Sequence, residues 1–254
     1  MITFIKNIFR KYAWARKLYA KARFLFAVLK DVFLDPKRAL LLFRVMPFTM
    51  VEYTGVRNVY DLAKAALQEG VQGAFVECGV WKGGVAGVLG FAAKQEGKGR
   101  MTWLFDSFEG LPEPTREDGS FAKEYSGEKD SGKLISIEKC VGPMEDVRNI
   151  LFSILHLEES QVRLVKGWFQ DTLPGARSEI GRIAVLRLDA DWYESTKCAL
   201  ENLYDLVSPG GYVIIDDYGV WEGCRKAVDE FLSARGITVA IRPVDSMVAY
   251  FKKP

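Results

Sequence analysis

Four aspartates stand in two tight pairs: Asp189 and Asp191 flank one alanine after an apolar run, and Asp216-Asp217 closes another. In extended backbone the side chains of Asp189 and Asp191 share a face. Four carboxylates held close together raise one another's pKa unless a cation compensates them. Oxygen donors with no Cys or His beside them suit a hard ion such as Mg²⁺ or Ca²⁺. A second reading makes the acids N-caps of helices beginning near Ser195 and Trp221, which accounts for one or two of them but not four.

A further constellation runs from Glu77 through Gly79 to Gly83-Gly84, again after an apolar run. Glycines in such a turn let backbone approach a ligand, although the GxGxxG spacing is absent. Glu77 would repel a pyrophosphate and attract an ammonium or sulfonium. Roughly thirty residues on, Asp106-Ser107 ends the next apolar run, where an acid grips the ribose of nucleotide-like cofactors. Together these features point to S-adenosylmethionine rather than NAD; the bland alternative is a turn that only packs.

Both constellations need strand ends to carry them. Apolar runs over 73–78, 101–105, 161–166, 183–188 and 212–215 predict five strands, alternating with helical patterns over 84–95, 195–207 and about 222–235. Pro209-Gly210-Gly211 predicts a turn before the fifth strand, and runs over 237–241 and 247–251 predict a closing antiparallel pair. Such alternation implies parallel strands whose ligands bind beyond the carboxyl ends, where both constellations fall. Residues 112–160 are richer in charge, Gly and Ser and read as a long insertion at the site or a disordered loop. Trp168, Phe169, Trp192, Tyr193, Tyr218 and Trp221 follow strand ends and could stack on adenine or a sugar; Trp168 is taken as a cofactor contact. Lys123 and Tyr125 in the insertion have no spacing that assigns them a role.

At 254 residues, 49% apolar and 27% charged, the chain reads as one large globular domain or a domain with an appendage. Its longest uncharged run, 83–93, is well short of the roughly 20 residues that cross a bilayer, so no spanning helix is predicted. Cys78, Cys140, Cys198 and Cys224 form no CxxC pair, which disfavours zinc and disulfides and fits a reducing cytoplasm. The single histidine, His156, is read as a helix-surface residue, leaving acid–base chemistry to carboxylates. Charge is uneven: residues 1–46 carry eleven Lys/Arg against two Asp, or +9, so a chain of net +2 leaves −7 for 47–254. That acidic remainder disfavours nucleic acid as a partner. Residues 2–33 alternate bulky apolar and basic residues at helical intervals. Three readings stand: an interfacial membrane contact through Tyr12, Trp14, Phe24 and Phe26, a dimer arm, or a helix covering the core. Frequent charges disfavour a cleaved signal peptide.

Six blocks in order carry a resemblance: VECGVWKGG from Val76, LFDSFEGLP at 104–112, GWFQDTLP at 167–174, VLRLDADWYEST at 185–196, GGYVIIDDYG at 210–219 and GCRKAVDEF at 223–231. They resemble the macrocin O-methyltransferase family over residues 48–251. The resemblance implies a Rossmann-like class I methyltransferase, an α/β fold with a seven-stranded, mostly parallel sheet and helices on both faces. The methyltransferase domain would cover 47–254, preceded by a helical extension over 1–46. It implies S-adenosylmethionine- and Mg²⁺-dependent methylation of a hydroxyl on a sugar or glycosylated small molecule in natural-product biosynthesis. Asp189, Asp216 and Asp217 match the metal acids, and Asp191 the general base, so that Asp189 and Asp191 carry the catalysis. Glu77, Gly79, Asp106 and Ser107 match cofactor contacts, and Thr49-Met50 a segment that closes over the cofactor. In related catechol-type enzymes a lysine three residues after the first metal acid is the base; here that position is Trp192. A cytoplasmic enzyme is expected, peripheral at the inner membrane surface or homo-oligomeric through residues 1–46. The alternatives are a catechol-like or polysaccharide acceptor, or a non-catalytic scaffold tethered by the extension.

Overall fold

Strands β1 (Ala74–Cys78) and β4 (Ile183–Leu188) are buried at every position, as central strands of a parallel sheet covered on both faces must be. The computed structural model describes residues 28–254. The other strands are β2 (Thr102–Asp106), β3 (Val162–Lys166), β5 (Val207–Ile215), β6 (Arg242–Pro243) and β7 (Ala249–Lys252). They form one sheet in the order β3-β2-β1-β4-β5-β7-β6. The first five are parallel, with Val76 level with Trp103 on one side and Leu186 on the other. Strand β7 runs antiparallel to β5 and puts Phe251 opposite Val213.

Side chains alternate across this sheet. Val76, Phe105, Leu186, Leu188 and Ile215 join a core completed by Leu173 of the Phe169–Ile180 helix, Leu200 of the Tyr193–Leu203 helix and Val228 of the Glu222–Ala234 helix. Phe75, Leu104, Val185 and Ile214 are fully buried at the intervening positions, facing the other side. There the Tyr53–Gln68 helix meets β4 and β5 and the Gly84–Glu96 helix meets β1 and β2. The expected seven-stranded methyltransferase sheet is therefore observed.

Three local expectations are corrected. The Pro209-Gly210-Gly211 segment lies inside β5, where the pairing with β4 jumps from Ile183–Val207 to Val185–Tyr212. It is an irregularity in a strand rather than a connector, a place where proline is tolerated. Residues 237–241 form no strand; Ile237, Val239 and Ile241 pack on the core outside any regular element, and β6 is only Arg242 and Pro243. Proline has no N–H to extend that ladder. His156 is exposed at φ 52°, just past a helical stretch that ends with a π-turn over Asn149–Ile154, not on a helix surface.

Residues 112–160 are ordered around short helices, Gly119–Tyr125 and Met144–Arg148 among them. The division between extension and domain falls between Arg44 and Val45. Most of the helix expected over 2–33, with Tyr12, Trp14, Phe24 and Phe26, lies outside the described residues. Within them 28–34 and Pro36–Val45 are helical. No helix among the described residues is long and apolar enough to cross a membrane.

Candidate active site

The carboxyl ends of β1, β2, β3, β4 and β5 open into one cavity of about 270 Å³. Every residue assigned to the site from sequence lines it: Thr49, Met50, Glu77, Gly79, Asp106, Ser107, Trp168, Asp189, Asp191, Asp216 and Asp217.

At the β1–β2 end main chain dominates. Gly79 has φ 88°, and a Cβ there would lie 1.8 Å from the carbonyl oxygen of Asp189, so only glycine allows the two strand ends this approach. Asp106 Oδ2 accepts the N–H groups of Val80 at 2.6 Å and Trp81 at 3.0 Å, and its Oδ1 accepts that of Phe108 at 2.6 Å. The carboxylate thus ties the glycine turn to the turn after β2, in addition to facing the cavity. Burial raises its pKa against the pull of these three donors. Ser107 Oγ donates to the Gly110 carbonyl at 2.8 Å. Thr49 Oγ1 accepts the Val51 N–H, while Met50 is exposed at the rim.

Below the acids lies Arg187, fully buried near the end of β4. One terminal nitrogen, Nη1, donates to Glu77 Oε1 at 2.6 Å and lies 3.0 Å from Asp189 Oδ2; Nη2 donates to Asp216 Oδ1 at 2.5 Å. This one cation links the first constellation to the second. Glu77 Oε2 is buried with no hydrogen-bond partner. Burial pushes Glu77 up to about 8, with Arg187 opposing.

Asp189, Asp191 and Asp217 each offer a carboxylate oxygen within 4.8 Å of the others. Asp216 is turned to Arg187 instead, so the converging set contains Asp191 in its place. Burial, and then the charges of Asp189 and Asp216, push Asp191 up to about 8; burial first, and then Asp191 and its neighbours, also raises Asp217. One arginine faces five acids counting Glu77, and a site so short of positive charge fits a divalent hard cation. The N-cap reading fails here: the N–H of Tyr193, opening its helix, is accepted by Asp118 of the insertion at 2.5 Å.

Asp191 sits at φ 52° in a tight three-residue turn closed by Trp192 N–H to the Ala190 carbonyl. Two contacts hold it: its N–H donates to Asp217 Oδ2 at 3.2 Å, and its Oδ1 accepts the indole N–H of Trp221 at 2.9 Å. Trp221 is boxed by Phe121, stacked at 5.0 Å, and by Tyr125 and Trp192 edge-on at 5.5 and 4.8 Å. Trp192 in turn donates its indole N–H to the Pro112 carbonyl. The insertion therefore supplies one wall of the cavity through Pro112, Tyr125 and Cys140, with Leu111 just before it. Tyr193 and Tyr218 instead bond outward to Glu230 and Asp229.

Sequence reasoning passed over Arg187, Asp118 and the role of Trp221. A lone arginine in the apolar strand IAVLRL and the capping box Thr115-x-x-Asp118 were available signals.

Sheet order, the antiparallel β7 and a cavity at the strand ends together define a class I methyltransferase. The model of the macrocin-O-methyltransferase (TylF) family matches residues 37–253. The chain is 40% identical to the 8-demethyl-8-(2,3-dimethoxy-alpha-L-rhamnosyl)-tetracenomycin-C 4'-O-methyltransferase of Streptomyces olivaceus, over 80% of this chain and 75% of that one. It is 36% identical to the demethyldecarbamoylnovobiocin O-methyltransferase of Streptomyces niveus, over 81% and 75%. Among solved structures, the O-methyltransferase NovP superposes with a TM-score of 0.69 at 34% identity, over 81% of this chain and 82% of that one. A calicheamicin methyltransferase superposes at 0.63 with 21% identity over 92% of each chain, a likeness of fold. The chain belongs to the macrocin-O-methyltransferase family and is an S-adenosylmethionine-dependent O-methyltransferase.

Proposed function

We propose that the enzyme methylates a hydroxyl of a sugar carried on a small molecule, with Mg²⁺ held by Asp189, Asp216 and Asp217. The observation that carries this reading is the convergence of Asp189 and Asp217, with Asp191 beside them, on the wall of the cavity that Glu77, Asp106 and Trp168 also line; Asp216 would join them by turning from Arg187. The printed activities of the relatives, on a rhamnosyl-tetracenomycin and a novobiocin precursor, support a glycosylated acceptor.

When bound, S-adenosylmethionine supplies a methyl group from its sulfonium, and a divalent cation stabilises negative charge developing on the acceptor oxygen. The rest falls to this chain. Glu77, Gly79, Asp106, Ser107 and Trp168 bind and orient the cofactor, and Thr49-Met50 covers it. Asp191 accepts the hydroxyl proton on a carboxylate that burial and the neighbouring acids hold above the usual carboxylate range, which makes it the stronger base. Trp221 fixes Oδ1 of that carboxylate, so the base meets the acceptor in one orientation. The apolar wall of Leu111, Pro112 and Tyr125 keeps water from the reacting atoms.

The test is titration of S-adenosylmethionine into the full chain with Mg²⁺ and then with EDTA, followed by incubation with rhamnosylated aromatic acceptors. The expected product gains one methyl by mass only when Mg²⁺ is present. Methyl transfer undiminished in EDTA would remove the metal from this reading, and transfer to free catechols alone would remove the sugar.

A further inference from the structure

Six of the twelve large apolar residues exposed among the described residues lie within 29–43: Leu29, Val32, Phe33, Leu34, Leu40 and Phe43. Phe33 and Phe43 are 81% and 80% exposed, far beyond what a packed helix leaves to water. Positions 29, 33, 40 and 43 follow the helical repeat through the short break at Asp35, while Leu41 and Leu42 are buried. Beside the exposed apolar residues, Lys30, Lys37 and Arg44 are exposed too.

Nearby acids do little to cancel that charge. Asp31 is fully buried and paired with Arg38 at 2.5 Å, and Asp35 accepts the Arg38 N–H at the start of the Pro36–Val45 helix. These are the two acids among residues 1–46, which carry +9.

Such a face has two candidate occupants, a second copy of itself or a lipid surface. Pairing two such faces sets Lys30, Lys37 and Arg44 of each against the same cations of the other, whereas an anionic bilayer attracts each of them while its acyl boundary takes the phenylalanines. We infer that residues 28–44 form a peripheral membrane-binding face for anionic lipid, holding the methyltransferase domain at a bilayer surface. The inference stands on the extension alone and is independent of the acceptor and metal assignments.

Flotation of the full chain tests it, using vesicles of phosphatidylglycerol and phosphatidylcholine beside vesicles of phosphatidylcholine alone. Anionic vesicles should float at least about ten times more protein than neutral ones, with binding lost in high salt. The double substitution Phe33→Glu/Phe43→Glu should lower flotation at least about tenfold through lost apolar insertion. Both side chains are exposed, so the variant should keep the wild-type melting temperature and affinity for S-adenosylmethionine. Protein left at the bottom with anionic vesicles, or floating equally with both kinds, overturns the inference. So does light scattering that gives a two-chain mass for the wild type, one chain for the variant, and no flotation of either.

Discussion

Around Gly79 and Asp106 the cavity is shaped by main chain: a glycine turn, strand ends so close that a Cβ on Gly79 would lie 1.8 Å from the Asp189 carbonyl oxygen, and a carboxylate held by three backbone N–H groups. Around Asp191 it is shaped by side chains drawn from distant segments, with Trp221, Tyr125 and Trp192 locking one another and one carboxylate. The two ends meet in Arg187, which bonds to Glu77 on one side and Asp216 on the other. The difference teaches how one scaffold serves many acceptors. A backbone-built end suits a ligand that never changes, whereas a side-chain-built end can be refitted without disturbing the sheet.

If the ends are separable in this way, substitutions at each should move different observables. The largest effect belongs to Asp189→Ala, which should lower methyl transfer by about 10³-fold or more by removing one of the acids proposed to hold Mg²⁺. The Kd for S-adenosylmethionine should stay within about threefold, because the glycine turn does not depend on that side chain. Full transfer in Mg²⁺ would sink the metal assignment, and loss of cofactor binding would erase the division between the ends. Next comes Asp106→Ala, expected to weaken cofactor binding about 10- to 100-fold, since hydrogen bonds to charged groups are worth about 1.5–3 kcal/mol each. Calorimetry showing an unchanged Kd would mean that the carboxylate serves neither the ribose nor the turn.

The same division governs what could be read before folding. Five parallel strands and their order of appearance follow from apolar runs, and the glycine turn and acid pairs are contiguous motifs. Trp221 and Asp191 stand thirty residues apart, and Tyr125 approaches them from an insertion with no period. No local pattern encodes that meeting, which depends on Asp118 capping the Tyr193–Leu203 helix and so docking the insertion. Likewise Asp216 was grouped with the other acids by adjacency. Its turn toward Arg187 is a tertiary fact, set by which face of β4 the arginine occupies. The edge of the sheet was misread for a different reason: alternation over 237–241 reflects one-sided packing on the core without ladder bonds.

A smaller change sharpens the acid end itself. Trp221→Phe keeps an aromatic ring in the box and removes only the N–H donated to Asp191. Losing a hydrogen bond to a charged group should lower kcat about tenfold, with acceptor KM and cofactor Kd nearly unchanged. In an Asp191→Ala background the same substitution should cost little more, because its partner is gone. Equal losses in both backgrounds would show that the indole works on the acceptor and not through Asp191.

The smallest effect is on stability, and its sign follows from the direction of the shifts. Glu77 and Asp191 are pushed up to about 8 and Asp216 to about 7, mainly by burial, while an unfolded chain holds such groups near about 4. Between those limits the folded state keeps protons that the unfolded state has lost, so stability falls as pH rises from about 4 to about 8. Most carboxylates paired in folded proteins behave in the opposite way. In EDTA the melting temperature should therefore fall from about pH 5.5 to about 8.5, and Mg²⁺ should flatten the slope by compensating the ionised acids. At the opposite end of the cavity Asp106, also raised by burial, contributes to the slope, so Asp106→Asn should reduce it without abolishing it. A slope absent in EDTA would mean that Arg187 alone neutralises the cluster, and the acid end would then need no cation to hold its shape.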